Sequence, residues 1–143
     1  MSEAPPDPAE IACVAATLRM AARTVTRRYD EALRPSGLRT TQLSMLSRLR
    51  EDGPLTVTAL ASRLALERTT VTRELDTLAR RGLVSLAPGD DRRTRIAAIT
   101  AEGRAAMRVA VPLWREAQAA TDELLGRERV ERLLADLRVA VRR

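Results

Sequence analysis

Histidine is absent from the 143 residues, and cysteine occurs once, as Cys13. The commonest metal ligand is therefore missing, and a single chain cannot form an internal disulfide or a cluster of thiolates for zinc. Without histidine there is no ordinary catalytic triad or imidazole base, and no carboxylate pair stands beside a glycine-rich or metal-binding loop. We therefore expect a protein that is not an enzyme and that uses no metal and no cofactor.

Aromatic side chains make up only 1% of the chain, and lysine is absent, so all 25 basic residues are arginine. Tyr29 and Trp114 are the aromatic residues, and Trp114 is predicted to belong to the core. The arginines outnumber the 19 acidic residues and give a formal net charge of +6. A basic surface favours polyanions, either nucleic acid or an acidic membrane, and composition alone does not choose between them.

Long apolar runs are also missing, since no stretch approaches the length that crosses a membrane. The opening residues 1–8, MSEAPPDP, lack the basic and apolar regions of a signal peptide and are predicted to form a flexible tail. The chain length suits a single domain, here residues 9–143, with a real hydrophobic core. We expect a cytoplasmic protein with no membrane contact.

Amphipathic helices are predicted at both ends of the chain, because apolar residues recur there every three or four positions. The first helix covers residues 9–34, and Pro35 with Gly37 ends it. A long helix over residues 101–125 begins after Thr100 as its cap, and Pro112 lies inside it as an expected bend. Gly126 separates this helix from a last one. The apolar positions are Ile11, Val14, Leu18, Ala22, Val25, Tyr29 and Leu33, then Met107, Ala110, Trp114, Ala117, Thr121 and Leu124, then Val130, Leu134, Leu137 and Val141.

Between these ends the pattern predicts a helix-turn-helix followed by a hairpin. A helix over residues 41–52, capped by Thr40 or Thr41, precedes an extended piece at Leu55 and a two-turn helix over residues 57–64 capped by Thr56. Only three residues separate that helix from the next, RTTVTRELDTLARRG, which Gly82 stops. Two short strands, residues 83–87 and 95–100, are then joined by PGDDRRT and form a wing.

The second helix of the pair has an apolar stripe of Val71, Leu75 and Leu78. Its opposite side carries threonine and arginine: Thr69, Arg73, Thr77 and Arg80, with Thr70 and Thr72 at the leading end. Asp76 stands four residues before Arg80, a spacing at which a helical ion pair is predicted.

The order of these elements, together with LASRL, TTVTRELDTLARRGLV, DDRRTR and ITAEG, resembles the MarR family of bacterial transcription regulators over nearly the whole chain. The resemblance implies a mainly α fold with a small β-hairpin wing. It also implies a winged helix-turn-helix lobe over residues 40–100 and dimerisation helices over 9–34 and 101–143. The long apolar stripes of those terminal helices exceed what such a lobe can cover, which favours burial in a partner chain. A homodimer that binds double-stranded DNA at a palindromic operator, most often as a repressor, is expected.

The chemistry of a helix N-terminus assigns roles within the second helix. Free backbone amides and a positive dipole end favour phosphate, so Thr69 and Thr70 are predicted to position phosphates. Thr72 is placed near base edges, and Arg73 is predicted to donate two hydrogen bonds to guanine O6 and N7. Arg68, expected just ahead of the helix, suits either role.

For the wing, the resemblance implies that Arg93 lies at the tip that enters the minor groove while Asp91 steadies the loop. Narrow A·T-rich grooves attract such an arginine electrostatically. Arg92 and Arg95 are then expected near phosphates.

Three questions stay open in the sequence. Some members of the family sense oxidants through a cysteine in the first helix, but Cys13 is about two residues out of register, and a buried packing role is predicted for it. Others release DNA when a small anion enters a crevice; a small-molecule effector is therefore an alternative, for which Arg19 and Arg23 are candidate contacts on a face expected to be solvated. A dimeric winged-helix module that binds protein instead of DNA is the third alternative.

Overall fold

The computed structural model describes residues 13–142. In this range the chain forms six α-helices, one 3₁₀ turn and three short strands, in the order α1 (Val14–Leu33), the 3₁₀ turn (Arg34–Ser36), α2 (Thr40–Asp52), β1 (Leu55–Thr56), α3 (Val57–Leu64), α4 (Arg68–Arg80), β2 (Val84–Pro88), β3 (Arg95–Ile99), α5 (Ala101–Leu125) and α6 (Arg127–Val141). The predicted mainly helical fold with a hairpin wing is confirmed. The predicted tail over residues 1–8, and the first four residues of the predicted first helix, lie outside the described residues.

Most predicted helix ends agree with the structure, but α1 begins at Val14, after an extended Cys13, and the start of α2 needs a correction. The hydroxyls of Thr56 and Thr100 accept the backbone N–H groups of Ala59 and Gly103 at 3.1 and 3.0 Å, so both predicted caps are confirmed. The prediction that Thr40 or Thr41 caps α2 is wrong, because Thr40 is already the first helical residue.

The acceptor at the start of α2 comes from another helix. Asp30 of α1 accepts both the backbone N–H and the hydroxyl of Thr40, at 2.7 and 2.6 Å. A carboxylate from a packed neighbour satisfies the free N–H group as a local cap does, and sequence periodicity does not reveal it.

The strands form one antiparallel sheet in the order β1-β3-β2. The predicted hairpin is confirmed, with Val84 opposite Ile99 and Pro88 opposite Arg95. The extended piece predicted at Leu55 becomes the third strand, since Leu55 pairs with Ala97. The wing is therefore anchored on both sides of β3 and is continuous with the helix-turn-helix.

We call residues 40–100 the central region, and its core is contained within one chain. Side chains from α2, α3, α4 and the sheet meet in a single buried cluster, to which Met107 and Ala110 of α5 contribute. Leu46, Leu60 and Leu78 are completely inaccessible to solvent. The predicted apolar stripe of α4 faces this cluster, so its opposite side is left free.

A close approach joins the wing to α5. A Cβ atom at Gly103 would overlap the carbonyl oxygen of Leu83 and the side chain of Ile99, so only glycine fits there. Beside it, the Thr100 hydroxyl donates to the carbonyl oxygen of Gly82 at 2.7 Å. The end of β3 and the start of α5 are thereby fixed against the end of α4.

We call α1, α5 and α6 the terminal helices, and they behave differently from the central region. Tyr29 and Leu33 at the end of α1 are buried, and the Tyr29 hydroxyl donates to Oε1 of Gln118 in α5 at 2.9 Å. Every residue from 13 to 28, in contrast, is exposed in the single chain. Among the described residues, no helix is long and apolar enough to cross a membrane.

Candidate nucleic-acid interface

A tight turn places α4 against α3. Ala65 adopts the left-handed conformation, with φ at 51°, and its N–H is directed to the carbonyl oxygens of Ala61 and Ser62 at the end of α3. The chain then enters α4 after Glu67, which makes no side-chain cap. The prediction that Arg68 lies just ahead of this helix is wrong, because Arg68 is the first residue of α4. It therefore lies on the first turn, where the backbone amides are free.

The exposed side of α4 forms a shallow groove of polar side chains. Arg68, Thr69 and Arg73 are exposed, while Thr70 and Thr72 are half-buried. The residues that line the groove are Arg68, Thr69, Thr72, Arg73, Asp76 and Arg80. The groove therefore brings together four of the predicted DNA-contacting residues, Arg68, Thr69, Thr72 and Arg73, whereas Thr70 does not line it.

The predicted ion pair between Asp76 and Arg80 is not formed. Asp76 Oδ1 instead pairs with Nη2 of Arg95 at the start of β3, at 3.0 Å, and Arg80 donates to the Thr77 hydroxyl at 3.3 Å. The sheet brings Arg95 close to α4, and its ion pair with Asp76 replaces the predicted pair between Asp76 and Arg80. The carboxylate on the exposed side of α4 is thereby neutralised, and the base of the wing is linked to the helix.

At the wing tip, Asp91 organises the turn. Its Oδ1 accepts the backbone N–H of Arg93 at 3.2 Å, and its carbonyl oxygen accepts the N–H of Thr94 at 2.8 Å. Gly89 closes the loop through an N–H donated to the carbonyl oxygen of Thr94 at 2.7 Å. Arg92 and Arg93 are exposed at this tip, and their guanidinium groups are free to meet a partner outside the fold.

One feature beneath the groove was missed in the sequence. Glu74 is only 4% exposed, and Nη2 of Arg39 donates to both of its carboxylate oxygens at 2.7 and 2.8 Å. Nε2 of Gln42, also buried, donates to Glu74 Oε2 at 3.0 Å. The signal was present, because Glu74 falls at a stripe position, three residues after Val71 and four before Leu78, where an apolar side chain is expected.

A crevice of about 390 Å³ lies between α2 and α5. It is lined by Thr40, Leu43, Ser44, Ser47, Arg50, Met107, Val111, Trp114 and Arg115. The prediction that Trp114 belongs to the core is wrong, because its side chain remains 38% exposed at this crevice. Met107 and Ala110 complete the core one turn earlier, so Trp114 is left with no partner on its outer side within one chain.

Cys13 immediately precedes α1 and is exposed, so the predicted buried packing role is not realised within one chain. The physical reason is that, among the described residues, the first half of α1 stays exposed to solvent. Arg19 and Arg23 are exposed on the same helix, as expected of a solvated face. Over residues 13–142, no group of three or more histidine, cysteine, aspartate or glutamate side chains is arranged to hold a metal ion.

Comparison with known proteins identifies relatives of this chain. The model of the MarR family matches residues 38–94. The Bacillus subtilis HTH-type transcriptional regulator YwoH, itself uncharacterised, is 35% identical over 85 residues, which are 59% of this chain and 62% of YwoH. This match therefore spans about three fifths of that relative's length.

Two solved structures cover almost the whole chain. The M. tuberculosis transcriptional regulator MosR in complex with DNA is 45% identical, with a TM-score of 0.77, over 90% of this chain and 95% of that chain. NadR in complex with 4-hydroxyphenylacetate is 25% identical, with a TM-score of 0.74, over 96% of this chain and 99% of that chain. The family match covers α2 through most of the wing, and the structural matches include the terminal helices.

Proposed function

The chain belongs to the MarR family of transcriptional regulators, and we propose that it binds double-stranded DNA as a homodimer at a palindromic operator. One observation carries the proposal: the exposed arginines of α4 and those of the wing lie on elements that the Asp76–Arg95 pair holds together. MosR, with the same fold and 45% identity, was solved on DNA. Repression is the proposed direction of control.

In this proposal α4 is the recognition helix and enters the major groove. Its first turn carries the free backbone amides and positions phosphates, with the hydroxyls of Thr69 and Thr70 as further donors. Thr72 and Arg73 follow along the groove and contact base edges, with Arg73 donating two bonds to guanine. Arg68, now placed on the first turn, suits a phosphate contact.

The wing contacts the neighbouring minor groove. Arg93, at the tip that Asp91 organises, enters it, and Arg92 lies near the phosphate backbone. Arg95 uses one nitrogen on Asp76 and keeps its remaining N–H groups for a phosphate, because a guanidinium carries five donors. The ion pair thus limits, but does not remove, the DNA contact assigned to Arg95.

In this proposal the terminal helices α1, α5 and α6 form the dimer. Twelve large hydrophobic side chains are exposed among the described residues, and all of them lie on α1, α5 and α6. A surface of this kind in a small protein is normally covered by a partner. Two-fold symmetry then places the recognition helices on half-sites about 10 bp apart, one turn of the duplex.

A small-molecule effector belongs to the same proposal. The crevice between α2 and α5 presents Trp114 together with Arg50 and Arg115, which suits a small anion with an apolar body. NadR, with a similar fold, was solved with 4-hydroxyphenylacetate. An effector acts here by favouring a dimer whose two recognition helices no longer match the half-site spacing.

Two alternatives predict different behaviour. A winged-helix module that binds protein would leave duplex DNA unbound at low salt, whereas the arginines at 73 and 93 favour DNA. A thiol-based regulator would respond to peroxide through Cys13, and Cys13→Ser would abolish that response.

We assign the chain no catalytic step, and we place it in the cytoplasm, where bacterial DNA is bound.

The direct test is Arg73→Ala, compared with Arg63→Ala on α3, an exposed arginine that does not line the groove of α4. Loss of the guanine contact should lower the preference for operator over random duplex by roughly ten- to a hundredfold, while salt-dependent non-specific binding persists. Arg63→Ala removes the same charge and should keep the wild-type preference. Unchanged discrimination in Arg73→Ala would remove the base-contacting role of this residue.

A further inference from the structure

A polar connection runs beneath the recognition helix. Glu74 of α4 is held by Arg39 and Gln42 at the start of α2, and the Oε1 of Gln42 also accepts the backbone N–H of Arg39 at 3.1 Å. The side chain of Glu74 is 6% exposed, whereas that of Arg39 is 58% exposed. Among the described residues, Gln42 and Glu74 are the polar side chains that are fully buried.

The connection continues to α1. Thr40, next to Arg39, donates its backbone N–H and its hydroxyl to Asp30 of α1. Five side chains therefore link α1 to α4 through the first turn of α2: Asp30, Thr40, Arg39, Gln42 and Glu74. We call this set the α1–α4 link.

Apolar packing alone does not fix the orientation of α4 sharply. The contacts of Val71, Leu75 and Leu78 are non-directional, and their energy changes little when a helix slides or rotates by a small amount. Charge-assisted hydrogen bonds depend on distance and angle, and a buried carboxylate loses much of its stabilisation when its donors move away. The hydrogen bonds from Arg39 and Gln42 therefore resist a small rotation of α4 more strongly than the apolar contacts of the leucines do.

Rotation matters because Arg73 is the neighbour of Glu74 in the chain. On a helix, adjacent residues point about 100° apart, so the direction of Glu74 into the protein sets the direction of Arg73 out of it. The link also connects α4 to α1, a helix of the proposed dimer, so the orientation of α4 is not set by the central region alone. The distance and angle between the two recognition helices of a dimer thus depend on it.

We propose that Glu74 is a positioning residue, and that the α1–α4 link sets the half-site spacing that the dimer accepts. This inference rests on the proposed function, since it concerns how a DNA-binding dimer selects its operator. One added base pair moves a half-site by about 3.4 Å and rotates it by about 35°, which a rigidly oriented pair of helices does not follow.

The test uses the full chain and a palindromic duplex selected with the wild-type protein from a random pool. Its half-site spacing is then changed by one and two base pairs in each direction, and the dissociation constant is measured for each duplex. We expect a penalty of about tenfold or more per base pair in the wild-type dimer, against about threefold or less in Glu74→Gln. Glu51→Gln, which removes a carboxylate from an exposed pair with Arg48 on α2, should keep the wild-type profile.

Each outcome separates the two proposals. A purely structural role for Glu74 would lower the melting temperature and leave the spacing profile unchanged, which overturns the inference alone. If Glu74→Gln does not fold, Asp30→Ala, which breaks the link at α1, carries the same expectation of a flattened profile and the same contrary result. If the wild-type dimer binds no duplex, the proposed function fails, and the inference fails with it.

Discussion

The central region and the terminal helices use the same kinds of apolar residue in opposite ways. In residues 40–100 the large hydrophobic side chains are buried or partly buried within one chain, and Leu46 and Leu60 in the core are fully inaccessible. On the terminal helices Val14 is 72% exposed and Val139 is 68% exposed. The central region is therefore complete as a single chain, while the terminal helices are complete only in an assembly.

In the proposed dimer, this difference gives the DNA-binding surface of one chain and the relation between two such surfaces different physical origins. The core, together with the hydrogen bonds that Glu74 accepts from Arg39 and Gln42, fixes α4 within one chain, and these contacts do not depend on a partner. The relation between two recognition helices depends on the α1–α4 link and, in addition, on surfaces that meet only in the proposed dimer. Changes in the two regions should consequently be separable by experiment.

The largest expected effect is from Leu46→Ala, which opens a cavity in the central core. Removing a fully buried leucine side chain should lower the free energy of unfolding by about 2 to 5 kcal/mol, measured by urea denaturation at fixed protein concentration. The dimer dissociation constant in native buffer should change little. A large change in dissociation with normal stability would contradict the separation of the two regions.

Leu134→Asp should weaken the dimer and leave the stability of the central region largely unchanged. This side chain is 43% exposed in one chain, and a charge there meets apolar surface in the dimer. We expect the dissociation constant to rise about a hundredfold, which corresponds to about 2.7 kcal/mol, by analytical ultracentrifugation. The folding of the central region should be retained, as judged by circular dichroism. A dissociation constant equal to that of the wild type would mean that this face of α6 is not covered.

Arg93→Ala should have the smallest effect of the three changes, and it acts on DNA affinity rather than on folding or dimerisation. It tests the wing separately from the core of the central region. Loss of a minor-groove arginine should weaken binding several-fold, by about 1 kcal/mol, on operators with A·T-rich flanks. Operators with G·C-rich flanks, whose minor grooves are wider, should lose less. An equal loss on both sets of flanks would show that Arg93 contacts only phosphate.

Local patterns were sufficient for much of this structure. Apolar periodicity identified the helices, Thr56 and Thr100 were recognised as caps, and alternation with a polar tip identified the wing. These features depend on residues close together in the chain, where spacing and chemistry are visible in the sequence.

The features that were missed depend on contacts between distant residues. The acceptor for Thr40 is Asp30 on another helix, and the partner of Asp76 is Arg95 in the sheet rather than Arg80 on the same helix. Glu74 and Arg39 are 35 residues apart in the chain. Trp114 is exposed because Met107 and Ala110 already fill the core one turn earlier on the same stripe. Periodicity does not show where along a stripe the core ends.

The most direct measurement is sedimentation of the purified protein with a palindromic duplex at low and at physiological ionic strength. We predict a dimer in the absence of DNA, a complex of two protomers per duplex, and an affinity that falls steeply as salt rises, because arginine contacts release counterions from phosphates. A protein that sediments as a monomer and leaves every duplex unbound at low ionic strength would contradict both the dimer and its role in binding DNA.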